Sequence, residues 1–282
     1  MGLNTVLASQ SVILRGTRQQ TSVGLLYQPP SLVVRSVSPI TGEVSTATFQ
    51  EGMAVRRYEI HNRSGSTASV GIGFRLTNRC WVAGQFSAGG VFTDDTADAQ
   101  DVGTSDFIMG TDAANDGFVI ACSEPFGWFS VSVGTAEVDA GGATVPDHGV
   151  QYSNSAGTGW TALDTASTYA NQFTLTNTVI GTGAREFVWI PPSDWGKVTA
   201  ISTIPVGYYA INVTTAQAEA SDTAALATAI EVGTILAVEA VADNGMYEQE
   251  LSTMHEPLAD ALVAFFSVAG AGNQVYAEVT TG

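Results

Sequence analysis

The stretch DGFVIACSEPFGWFSVSV (116–133) decides the fold. It holds two short runs, GFVIAC (117–122) and WFSVSVG (128–134), both rich in β-branched and aromatic residues. Runs of this length and composition fit a pleated, half-buried surface and predict strands. The same pattern recurs outward in SLVVRSV (31–37), VRRYEIHN (55–62), SVGIGFRLT (69–77), EFVWI (186–190) and YYAINVTT (208–215). Gly, Asn, Asp, Ser or Pro separates these runs, and NRSGST (62–67) reads as a hairpin connection between two of them. Regular strand spacing with few helical patterns predicts an all-β fold of antiparallel β-sandwich or jelly-roll units.

One segment departs from that pattern. SDTAALATAI (221–230) offers Ser221 as an N-cap, an acid at Asp222 and Ala/Leu-rich helix formers behind it, which predicts the fold's one short helix. The expected organisation is therefore a β-rich anchoring region at 1–87 and a sandwich at 88–216. The short helix and C-terminal strands follow at 217–282, completing the sandwich or an inter-subunit contact. At 282 residues the chain is long enough to bury a real core in more than one unit.

Charged residues make up 13% of the chain, about half the usual share. Hydroxyls and amides must then supply much of the surface polarity. Residues 1–79 carry eight arginines against three acids, while the remainder carries Arg185 and Lys197 against 24 acids. Such an asymmetry suggests that the N-terminal part docks on an acidic or carbonyl-rich partner through Arg15, Arg18, Arg35, Arg56 and Arg57. Nucleic acid is disfavoured, because a net charge of −17 repels phosphate and the basic residues form no continuous run. No membrane span is expected, since no stretch of about eighteen uninterrupted apolar residues occurs. MGLNTVLASQSVILRGTRQQ (1–20) lacks the basic-then-apolar layout of a secretory signal.

Chemistry finds few footholds. Cys80 and Cys122 lie in apolar surroundings and read as small buried residues, with a disulfide between them left open. His61, His148 and His255 are isolated, with none of the paired spacing of a metal set, and read as surface or strand residues. No nucleophile elbow or phosphate cradle is present. Carboxylates and amides at Asp94, Asp95, Asp98, Asp101, Asp112, Asn115 and Asp116 could converge on calcium, but neither run has EF-hand spacing. A solvated loop is the default. With 27 acids, a glycosidase pair is conceivable, yet nothing in the sequence selects one. No catalytic residue, cofactor or metal is expected.

Between about 90 and 216 the landmarks fall in a distinctive order: VFTDDTADAQD (91–101), DGFVIACSEPFGWFSVSV, VQYSNSAGTGWTALD (150–164), EFVWIPPSDWGKV (186–198) and GYYAINVTT (207–215). This order resembles a β-sandwich module that recurs in virion structural proteins of tailed bacteriophages. The likeness lies in a Tyr-polar-turn-Trp-x-x-Leu hairpin, an aromatic strand ending in Pro-x-x-Trp, and a Gly-Tyr-Tyr strand. It implies a non-enzymatic virion component, first of all a capsid decoration (cement) protein on the outer capsid surface. Its partners would be the major capsid protein or other virion proteins and its own copies, with a trimer favoured, assembled in the host cytoplasm. The alternatives are a tail, fibre or receptor-binding component contacting host glycans, and a carbohydrate-binding module outside any virus. In the glycan readings Tyr208 and Tyr209, on opposite faces of one strand, would supply an aromatic platform. Otherwise Trp160, Trp189 and Trp195 are expected to pack in the core. The two prolines before Trp195 should carry the chain across a sandwich edge.

Overall fold

The structure, a computed structural model, describes strands within 13–48 and then residues 53–281 apart from 88, 105, 111–115, 139–147, 164–167, 172, 174–178, 215–222, 256–258 and 267–273. Side chains are described for most of 59–249. The chain divides into two compact units: unit 1 comprises residues 1–77 and 234–282, and unit 2 comprises 78–233. These boundaries differ from those drawn at 87/88 and 216/217. The reason is topological, because both ends of the chain pair with each other in unit 1.

Unit 1 begins with β1 (Ile13–Arg15), β2 (Arg18–Thr21), β3 (Gly24–Tyr27), β4 (Ser31–Arg35), β5 (Glu43–Thr48), β6 (Met53–His61) and β7 (Ala68–Leu76). Unit 2 follows with β8 (Trp81–Phe86), β9 (Phe92–Asp94), α1 (Thr96–Gln100), β10 (Phe107–Ile108), β11 (Gly117–Cys122), β12 (Trp128–Thr135), β13 (Gly149–Ser153), β14 (Trp160–Ala162), β15 (Thr168–Asn171), β16 (Gly183–Trp189) and β17 (Tyr209–Thr214). The long β18 (Leu226–Val241) starts in unit 2 and ends in unit 1, which closes with β19 (Met246–His255), β20 (Ala259–Phe266) and β21 (Gln274–Thr281). The all-β, antiparallel class is thus as expected.

Unit 2 is a sandwich. One sheet runs β14-β13-β17-β11-β8-β9, and the other runs β15-β16-β12-β18 with β10 also on β18. Every residue of β11 is buried, so its two faces serve two cores. On the inner face the Phe118 ring meets Phe107, Phe129 and Phe173 edge-on at centroid distances of 5.9, 6.4 and 6.0 Å. Phe129 stacks on Phe187 at 5.5 Å, and Trp189 packs against Phe126 at 5.3 Å. Such aromatic pairs add about 0.5–1.5 kcal/mol each beyond the area they bury. On the outer face Val119 and Ala121 join Phe86, Phe92, Val198, Ile201, Ile204 and Ala210 in a separate cluster. Its cover is the crossover from β16 to β17, which contains the two prolines and passes from one sheet to the other, as the sequence predicts.

Two expectations fail here. The helix at 221–230 is not formed: Thr223 bridges Val138, and β18 already runs from Leu226, paired with β12 from Val133↔Ala227 to Trp128↔Gly233. Ser221 and Asp222 lie outside the described residues. Local helix propensity of a few tenths of a kcal/mol per residue loses to a ladder that buries Ala225, Ala227, Ile230 and Val232. The short helix is instead α1, within the acidic stretch read as loop.

NRSGST is also not a hairpin. In unit 1 β6 belongs to the sheet β1-β4-β21-β6-β19, whereas β7 pairs with β18 and β20 in another sheet that continues to β5. The 62–67 segment is therefore an arch from sheet to sheet, and the turn joining β18 to β19 is a second arch beside it. Asn62, fully buried, clasps the two by donating through Nδ2 to the carbonyls of Ser66 (2.8 Å) and Val241 (2.7 Å). Its Oδ1 accepts from the Ser64 amide and hydroxyl, and Asp243 Oδ1 accepts from the Gly65 amide.

Candidate functional site

The three landmarks of the sequence resemblance converge on one locked assembly in unit 2. β13 ends at Ser153, and the turn after it closes through Asn154 N–H to the Gly159 carbonyl (2.9 Å) and Gly157 N–H to the Asn154 carbonyl (2.8 Å). Asn154 Oδ1 also accepts from the Thr158 amide. Gly157 sits at φ +68°, a conformation that glycine adopts without cost. Its carbonyl accepts from the amides of Thr199 (2.8 Å) and Ala200 (3.0 Å), which pins the turn to the crossover.

Ser153 is the hub of this assembly. Its hydroxyl donates to the Gly196 carbonyl at 2.6 Å and accepts from the Trp195 indole N–H at 3.0 Å. Tyr152 donates to Asp194 at 3.1 Å, and burial first, then that carboxylate, raises the phenol's pKa. The Trp195 ring meets Tyr209 at 5.6 Å, and Trp160 meets Phe86 edge-on at 5.6 Å. Around the same crossover Val198 N–H donates to the Tyr208 carbonyl, and the Val198 carbonyl accepts from the Gly207 amide.

Tyr208 immediately precedes β17 and Tyr209 opens it, and the two rings make separate contacts. Tyr208 packs against the outer-face cluster. Tyr209 has Trp195 on one side and the Lys197 ammonium 5.1 Å from its ring centroid. Lys197, the chain's one lysine, also donates to the Ser123 carbonyl at 3.3 Å. Trp189 and Trp195 are buried as expected, while Trp160 is half-buried at the cluster's edge.

The five arginines fall in unit 1: Arg15 on β1, Arg18 on β2, Arg35 on β4, and Arg56 and Arg57 on β6. Their side chains lie outside the described residues. The backbone register nevertheless changes the electrostatic picture. Arg57 stands directly opposite Glu250 of β19 on one side and Glu278 of β21 on the other. Because the acidic C-terminal strands fold among the arginines, unit 1 carries seven arginines and ten acids, a net −3, and unit 2 a net −14. The basic N-terminal stretch is thus folded into a unit that is close to neutral as a whole.

Two ionisable side chains, Glu186 and His148, are buried at positions that no motif marks. Glu186 is buried on β16, where Trp128 Nε1 (2.8 Å) and Ser130 Oγ (3.0 Å) donate to its carboxyl. Burial first, and the charge of Glu231 second, push its pKa up to about 7 against those two bonds. Glu186 and Glu231 stand opposite Ser130 of β12 on its two sides, and the buried Glu186 has both oxygens engaged by Trp128 and Ser130. His148, expected at a surface or in a strand, is buried just before β13, its Nε2 3.4 Å from Glu137 Oε2. His61 bonds Glu59, and the side chain of His255 lies outside the described residues.

Among the described residues no three His, Cys, Asp or Glu side chains are placed to hold an ion. Asp112 and Asn115 lie outside the described residues, and Asp116 is buried. Asp94 accepts from the Thr96 amide. Asp95 is raised to about 6, by partial burial first and then by its hydrogen bond to Asp98 and the charges of Asp98 and Asp106. Cys80 and Cys122 are buried and are not joined in a disulfide. Among the described residues no helix is long and apolar enough to cross a membrane.

No family model matches the chain, and no curated protein matches it. A solved structure described as "Structure of infectious bursal disease virus Gt strain" aligns with 97% of this chain and 83% of its own at 9% identity. The TM-score of 0.13 is too low to carry any statement about fold or role.

Proposed function

We propose that this chain is a non-enzymatic structural protein of a phage virion, acting as a capsid decoration protein that binds the outer capsid surface. The observation that carries the reading is how the landmark residues are used. Ser153, Trp195, Tyr208, Tyr209 and Gly157 are all spent on fastening a turn and a crossover to a sandwich. That is the economy of a rigid building block, in which side chains hold shape and none is poised on a reactant. The charge polarity is compatible with it: the strongly acidic unit 2 favours solvent, and the nearly neutral unit 1 is the one able to approach a partner without a large desolvation cost. Many copies on a symmetric lattice would bind by multivalency even through modest contacts.

Purified protein mixed with undecorated capsids should co-sediment in saturating, lattice-stoichiometric amount, hundreds of copies per particle. A few copies per particle would move it to the tail or a vertex. Saturable binding on a glycan array, with no binding to capsids, would replace this reading by the receptor-binding one.

A further inference from the structure

The turn that joins β18 to β19 reads Ala242-Asp243-Asn244-Gly245, and Asn244 is the one asparagine in the chain that a glycine follows. The order matters chemically, because a backbone nitrogen whose own residue has no Cβ is unobstructed in reaching the preceding carboxamide. Asn244 is exposed, at φ +58°. Two charged side chains hold its carboxamide: the Arg63 guanidinium donates to Oδ1 at 3.4 Å, and Nδ2 donates to Asp243 Oδ2 at 2.7 Å. A cation therefore stands where negative charge would develop on the carbonyl oxygen, and a carboxyl group stands at the nitrogen that would depart.

We propose that Asn244 is a site of spontaneous covalent modification, becoming aspartate or isoaspartate by ring closure onto the Gly245 nitrogen. In the closure the Gly245 amide gives its proton to solvent base, and its nitrogen attacks Asn244 Cγ. A Cγ–N bond forms, the Cγ–Nδ2 bond breaks, and Nδ2 takes up a proton and leaves as ammonia. Water then opens the five-membered imide at either carbonyl, giving aspartate or isoaspartate. Water is the only co-reactant consumed.

The fold sets the rate. In the closed turn the Gly245 N–H donates to the Ala242 carbonyl at 2.9 Å, so the nucleophile is occupied. The clasp keeps it there: Asn62 N–H donates to the Gly245 carbonyl at 3.1 Å and Asn62 Nδ2 to the Val241 carbonyl, while the Gly65 amide donates to Asp243. Ring closure therefore waits on local opening of the turn. Its products do not restore what opened. Isoaspartate routes the main chain through Cβ and so lengthens a turn that the bond from Gly245 to Ala242 closes, and either product sets a second carboxylate beside Asp243. Modification thus turns a reversible opening of the arch into a permanent one.

The test is incubation of the full chain at pH 8, followed by peptide mass mapping and an enzymatic assay for isoaspartate. The peptide containing Asn244 should gain about one dalton, ahead of every other asparagine, and yield both products. Asn62→Ala, which removes the clasp, should speed the gain about tenfold or more. Asn244→Gly, which suits φ +58°, should abolish both the gain at this peptide and its isoaspartate. A wild-type peptide that stays unmodified while the urea-unfolded chain reacts would overturn the proposal, as would an Asn62→Ala rate equal to that of wild type. Should Asn62→Ala fail to fold, urea below the unfolding transition decides. Amide exchange at Gly245 and the mass gain should then rise by the same factor, and a gain that does not respond to urea would overturn the gating by the clasp.

Discussion

The carbonyl oxygen of Lys197 lies 2.0 Å from where a Cβ on Gly157 would stand. Gly157 also has φ +68°, so the site forbids a side chain on two independent grounds. The atom in the way is backbone, held by the bonds from Thr199 and Ala200 to the Gly157 carbonyl, and cannot swing aside. Gly157→Ala should therefore cost about 2–4 kcal/mol, beyond the roughly 1 kcal/mol of a strained conformation alone. Equilibrium denaturation reads this directly. A loss below 1 kcal/mol would mean that the turn and crossover are not docked.

Ser153 offers a second probe of the same assembly from the side-chain end. Replacing it with Ala removes the acceptor of the Trp195 indole and the donor to the Gly196 carbonyl. The buried Trp195 indole, the part-buried Gly196 carbonyl and the Ala210 amide, which also donates to Ser153 Oγ at 3.3 Å, are left without that partner, a loss of about 1–3 kcal/mol for each group so desolvated. Ser153→Ala should lower stability by a similar amount and shift the tryptophan emission of the native state. Ser153→Thr, which keeps the hydroxyl, should recover most of the loss if the added methyl fits.

How much of this was legible in the sequence depended on the range of the interaction involved. The strands at 117–122, 128–134 and 186–190 announce themselves because composition over six or seven residues suffices. The helix at 221–230 misleads because its Ala/Leu content is a local fact, while the β12 ladder that recruits Leu226–Gly233 is a distant one. NRSGST has the turn chemistry of a hairpin and an arch alike, and only the bond from Asn62 to Val241, 179 residues away, decides between them. Trp160, Trp195 and Tyr209 could be named as packing landmarks, but not that Gly157 and Ser153 fasten them. Glu186 is the one charged residue of EFVWI, and nothing in the run itself marks it for burial. Its burial follows from its place next to β12, which the sequence does not reveal.

The register of Arg57 changes how attachment to a partner should be probed. Charge reversal there would set an acid opposite both Glu250 and Glu278, and like charges directly opposite cost roughly 0.2–1 kcal/mol per pair. Arg57→Glu should thus lower the stability of unit 1 whether or not it weakens capsid binding. Arg18 stands opposite Tyr27 in the β2–β3 pair and carries no such penalty. Arg18→Glu should leave the stability within about 0.5 kcal/mol of wild type. A loss of capsid occupancy in that variant, read by co-sedimentation, assigns the arginine to the interface. Unchanged occupancy removes it from the interface.

Cys122 is the remaining group whose chemistry the fold suppresses. Burial pushes its thiol pKa up to about 12, with the nearby Cys80 adding to the shift, and both residues are under 4% exposed. Attack on a disulfide reagent requires thiolate and access, and the native protein supplies neither. A chromogenic thiol reagent at pH 8 should therefore leave the folded protein unmodified over an hour and consume two equivalents once the chain is unfolded in denaturant. Because modification waits on opening of unit 2, Gly157→Ala should accelerate it by the same factor by which it raises the open population, about tenfold for each 1.4 kcal/mol lost. Rapid stoichiometric labelling of wild type would show instead that β8 and β11 part without unfolding.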